Sequence, residues 1–125
     1  MYLAPYSLPH TRNYMYYTTL SNGLSGQAEI ETKINATEDV QSGNFISLNS
    51  VTTRQYGTAI NFVSWTQNSH NLKISSVNYL ISGTIDGTLT TEYVVSATGT
   101  RVRVTKDHLI SIVCYSEAHG PWTVM

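Results

Sequence analysis

The sequence predicts an all-β domain: an antiparallel β-sandwich of about eight strands, jelly-roll-like or immunoglobulin-like, with an extended N-terminal arm. Three observations carry this. Apolar and polar residues alternate with period two along most of the chain. Gly, Asn, Ser and Asp clusters punctuate it at intervals of roughly 8–12 residues. No stretch carries the apolar period of a long amphipathic helix. At 125 residues the chain fits one domain, long enough to bury a core without disulfide staples. Cys114 is the only cysteine, so no intrachain disulfide is available.

The chain opens MYLAPYSLPHTRNYMYYTTL, with five tyrosines and two prolines in its first seventeen residues. Pro5 and Pro9 force extended geometry on Ala4 and Leu8, so residues 1–13 read as an irregular arm and 14–125 as the domain. Tyr2, Leu3, Tyr6 and Leu8 are the arm's candidate contacts, continued at Tyr14, Tyr16 and Tyr17. A tyrosine suits a half-wet contact, with an apolar ring and a polar tip. Such an arm either folds back on its own domain or reaches a neighbouring subunit. There is no basic leader followed by an apolar run, so the sequence predicts a chain made without a signal peptide.

Residues 14–20, rich in Tyr and Thr, form the first predicted strand, closed by Ser-Asn-Gly. Residues 27–34 form the second: Ala28, Ile30, Thr32 and Ile34 take one face, and Glu29, Glu31 and Lys33 the other. Residues 35–44 read as a loop. Strands follow at 45–51 and 58–66, the latter with a change of face between Ile60/Phe62 and Val63/Trp65 that implies a bulge or two-sided burial. Residues 72–81 and 88–97 read as a hairpin around Gly83 and Gly87, whose missing side chains suit a turn. Val102 and Val104 face inward on 98–105, with Arg101 and Arg103 outside, and Lys-Asp-His makes a tight turn. Residues 109–115, LISIVCY, are apolar on both faces apart from Ser111, which predicts a central strand covered on both sides.

The charged fraction is 12%, against roughly 25% for ordinary globular domains. Uncharged polar residues replace the charges: 17 Thr, 14 Ser and 9 Asn occupy 40 of the 125 positions. With a net charge of −1 and seven dispersed Lys and Arg, there is no basic face for nucleic acid. No apolar run is long enough to span a bilayer as a helix.

The chemistry-bearing residues are sparse. Glu117/His119 and Asp107/His108 are the nearest approach to a metal site, but they lie on opposite flanks of one strand, about 20 Å apart. Glu38 and Asp39 are too few acids for a calcium loop. Cys114 sits between apolar neighbours and reads as an inert core thiol. No G-x-S-x-G elbow and no Gly-rich phosphate loop occurs. Asn35-Ala36-Thr37 matches a glycosylation sequon but, with no signal peptide expected, reads as a coincidence. Trp65 reads as core. Trp122, after Gly120 and Pro121, is the candidate for ligand stacking.

These features predict a protein that is not an enzyme and needs no cofactor or metal. The expected role is a structural subunit of a large assembly such as a virion (a capsid, decoration or tail component), working by packing and by arm or strand exchange. Its expected partners are copies of itself or other structural subunits, without nucleic acid or membrane. The alternative is a carbohydrate-binding or host-recognition β-sandwich module.

Overall fold

The computed structural model describes residues 8–117. It contains seven antiparallel strands: β1 (Pro9–Ser21), β2 (Gln27–Asp39), β3 (Phe45–Ile60), β4 (Phe62–His70), β5 (Lys73–Ile74), β6 (Leu80–Val95) and β7 (Thr100–Tyr115). A 3-10 turn, Gly23–Ser25, joins β1 to β2. One sheet has the order β1-β2-β3. In the other, β6 is central, with β7 on one side and β4 and β5 in succession on the other.

Pairing therefore follows chain order. Segments β4 and β5 act as one interrupted strand against β6, because Asn71 bridges the gap through its backbone N–H to Thr84 O and its Oδ1 to Thr84 N. Jelly rolls and immunoglobulin-like domains need Greek-key connections. None occurs among the described strands.

The inward faces of both sheets meet in one apolar cluster. Ile30 and Ile34 come from β2, Ile81, Ile85 and Leu89 from β6, and Ile110, Ile112 and Cys114 from β7. A fully buried side chain of this size contributes about 1.5–3 kcal/mol, so this shared cluster outweighs any single surface pair. The chain passes between sheets at Asn61, whose φ of 57° makes the corner. The bulge read between Ile60/Phe62 and Val63/Trp65 is a register shift between Phe62 and Ser64, but Ile60 and Phe62 do not share a face: Ile60 is exposed and Phe62 packs against the core. Behind the corner, the Trp65 indole N–H donates to Thr53 Oγ1 (2.8 Å), Thr53 donates to Gln67 Oε1, and Gln67 Nε2 donates to Val51 O.

Several expectations need correction. The first strand begins at Pro9, not Tyr14: Pro9 to Asn13 pair with Asn35 to Asp39, so five residues assigned to the arm belong to the sheet. Residues 35–39 are accordingly strand rather than loop, and Glu38 is buried. Gly83 and Gly87 lie inside β6 and make no turn; the β6–β7 connection is at 96–99, where Gly99 has φ 72°. A Cβ on Gly87 would lie 2.1 Å from Trp65 Cη2, and one on Gly83 2.5 Å from Asn71 Oδ1. Both glycines admit close approach, not a bend. Lys106, Asp107 and His108 continue β7, which among the described residues has a strand partner only in β6. Among those residues nothing covers its outer face: Leu109 is 67% exposed and Val113 56%.

Candidate functional site

The alternation that builds the core also sorts the outer surface. On the first sheet, register places Asn13 beside Asn35 and Thr11 beside Thr37. Asn35 Nδ2 donates to Asn13 Oδ1 (2.8 Å), Asn49 Nδ2 donates to Asn35 Oδ1 (2.9 Å) and Thr37 Oγ1 (3.0 Å), and the Thr11 and Thr37 hydroxyls bond each other. The sequon asparagine thus has both ends of its amide engaged. On the second sheet Asn68 donates to Thr88, Thr88 to Asp107, and the hydroxyls of Thr90 and Thr105 bond each other. These are cross-strand ladders built from hydroxyls and amides, with the Asp107 carboxylate at one end. All four arginines lie in ion pairs: Arg12–Glu38, Arg54–Glu31, and Arg101 and Arg103 with Glu92. Hydrogen bonding to Arg103 is the main cause that holds the Glu92 carboxyl below its ordinary range.

At the β1–β7 margin, Tyr14 turns its hydroxyl to Glu38 and accepts the backbone N–H of Glu117 (3.0 Å). Burial, then the bond to Glu38, pushes the Tyr14 phenol well above its usual range. Glu38 is 1% exposed and pairs with Arg12 Nε at 3.1 Å. Tyr16 is half-buried beside Cys114, and burial pushes that thiol up to about 11. Tyr17 faces outward. Leu8 is tied to its own chain: its N–H reaches Asp39 Oδ1 (2.9 Å) and its carbonyl accepts from Val40 N. Tyr2, Leu3, Tyr6 and Trp122 lie outside the described residues, as does His119. Trp65 is partly buried and packs against the core.

Two of the candidate metal ligands bond within the domain. Asp107 accepts from Thr88, and His108 Nε2 meets Asn22 Oδ1 at 2.8 Å. Among the described residues no three His, Cys, Asp or Glu side chains converge on a metal position.

A groove of about 480 Å³ crosses the outer face of the first sheet, lined by Met15, Glu31, Lys33, Thr52, Thr53 and Arg54. Register places Tyr17 opposite Glu31, and Glu31 opposite Arg54. Arg54 Nε donates to Glu31 Oε1 (2.9 Å), and its guanidinium lies 5.9 Å from the Tyr56 ring centre. The rings of Tyr17 and Tyr56 are 5.2 Å apart, tilted by 45°. Sequence reading missed this cluster. Alternation puts Glu31 and Lys33 on one face, but three strands must be registered before Tyr17, Arg54 and Tyr56 join them.

No family model matches the chain, and searches of the curated proteins and of the solved structures likewise find no match.

Proposed function

We propose that this chain is a non-enzymatic β-sandwich subunit of a large particle, such as a virion capsid, decoration or tail component. In this reading it packs against copies of itself or against other structural subunits, and packing, not catalysis, is its work. The observation that supports it most is the outer face of β7. LISIVCY carries apolar side chains on both faces, and among the described residues only one of those faces is covered. Among the described residues Leu109 and Val113 stand exposed beside the Thr90–Thr105 hydroxyl pair and the bond from Thr88 to the Asp107 carboxylate. A symmetric contact brings like surfaces together, and a face without net charge meets its own copy without repulsion.

The test is mass by light scattering of the purified chain across a hundredfold range of concentration. Multiples of 13.9 kDa are expected for the wild type. The double variant Leu109→Lys/Val113→Lys is expected to return to single-chain mass with its melting temperature nearly unchanged, because both positions are exposed. A wild type that keeps single-chain mass up to about 1 mM defeats self-assembly; a standard interface of ~1,600 Å² would associate below that concentration.

A further inference from the structure

We propose that the groove across the outer faces of β1, β2 and β3 binds an acidic saccharide, a sugar ring bearing a carboxylate. This goes beyond the assembly reading and does not depend on it. Space comes first: about 480 Å³ lies within the ~300–1,000 Å³ typical of small-molecule sites. Charge comes second. Lys33 and Arg54 line the groove against one carboxylate, Glu31, which leaves one positive charge in excess. Arg54 meets Glu31 through Nε, and its two terminal nitrogens remain as a planar pair of donors suited to a second carboxylate.

The guanidinium is oriented on one side and open on the other. Its Nε holds the largely buried Glu31 carboxylate and its Cζ lies 5.9 Å from the Tyr56 ring centre, while 68% of the Arg54 side chain stays exposed to a ligand. Contacts made before the ligand arrives reduce the rotamer freedom lost on binding. Its bond to Glu31 and that carboxylate's charge hold Arg54 firmly protonated.

Recognition of the ring comes third. Tyr17 and Tyr56 stand next to the groove beyond Arg54, in contact with each other and 52% and 43% accessible, with one Tyr56 face toward the guanidinium. Such rings offer flat apolar surface to the C–H face of a sugar while their hydroxyls stay wet. The Thr52 side chain adds a donor and acceptor at the rim. Two cations cannot track a polyphosphate backbone, which separates this site from a nucleic-acid groove.

The test is a titration of isotope-labelled full chain, followed by amide shifts, with a sialic-acid-terminated trisaccharide and with its desialylated, neutral counterpart. The acidic sugar is expected to move the amides of Met15, Glu31, Lys33, Thr52, Arg54 and Tyr56, with a Kd of ~1 mM or tighter. Arg54→Gln and Lys33→Gln should each weaken it about tenfold, and salt should weaken the wild type similarly. Tyr56→Ala should weaken the acidic sugar as well, with little dependence on salt. Unchanged amide patterns away from the groove check that each variant is folded. Absence of groove shifts at ~20 mM, equal response to the neutral sugar, or unchanged affinity in both charge variants would each overturn the proposal.

Discussion

Gly87→Ala should destabilise the domain although Ala suits a strand better than Gly. The backbone at Gly87 is not in the left-handed region, so an alanine meets no conformational penalty there and should gain about 0.4–1 kcal/mol from a less flexible unfolded chain. The new methyl, however, would sit 2.1, 2.3 and 2.9 Å from three atoms of the Trp65 ring. That ring cannot swing aside cheaply. Its N–H is bonded to Thr53 at 2.8 Å, and its face packs on the core. Displacing it costs about 1–3 kcal/mol of overpacking and about 1 kcal/mol for the lost hydrogen bond. The net expected loss is roughly 1–3 kcal/mol, read as a lower urea midpoint at unchanged slope. The decisive measurement is the double-mutant cycle. In a Trp65→Ala background the methyl has room, and Gly87→Ala should be neutral or slightly stabilising, a coupling of at least ~1 kcal/mol. Equal effects in the two backgrounds would refute the close-approach explanation of this glycine.

Arg12→Ala removes the counter-charge of the buried Glu38 carboxylate and is expected to cost about 2–4 kcal/mol in urea unfolding; Tyr14→Phe, which removes a hydroxyl bonded to that carboxylate and to Glu117 N, about 1–3 kcal/mol. Burial holds the His108 imidazole below its ordinary range, with Lys106 acting in the same direction and Asp107 against it. Asn22 spends its amide hydrogens on Leu89 O, Thr91 Oγ1 and Val104 O, so its Oδ1 accepts from His108 Nε2–H and the added proton must enter at Nδ1. Because the unfolded chain then binds a proton more readily than the fold, this group's stabilisation is complete above about pH 6.5 and is lost as pH falls toward the folded value. His108→Gln should flatten that part of the stability–pH curve, measured by urea midpoints between about pH 5 and 7. Cys114, buried and with its thiol pushed up to about 11, should react with a thiol reagent at about pH 8 only as fast as the domain opens. Labelling at the rate of a free cysteine would refute its core placement.

Period-two patterning settled which side chains face inward. Ala28, Ile30, Thr32 and Ile34 point to the core as the alternation requires, and Glu29, Glu31 and Lys33 point away. Cys114 sits in the core as its neighbours imply. These are local facts, because in a strand each side chain's direction follows from that of its neighbour. Boundaries were less legible. Glycine serves both turns and close contacts, and the sequence does not show that Gly87 faces Trp65 or that Gly83 faces Asn71. Glu38 looked like a loop acid because its neutralising partner, Arg12, lies 26 residues away across a hairpin. Likewise LISIVCY reads as doubly covered, but the number of neighbours a strand has depends on the whole pairing order.

Patterning determined that this is a β protein, and composition that its surface is poor in charge and rich in hydroxyls and amides. The tertiary structure alone decided which of those side chains meet. Register joined Asn13, Asn35 and Asn49 into a ladder, set Glu31, Lys33 and Arg54 along one groove, and put Tyr17 and Tyr56 beside Arg54. The physical reason is one of range. Side-chain direction is fixed over two residues, whereas register is fixed by burial and turn geometry summed over whole strands.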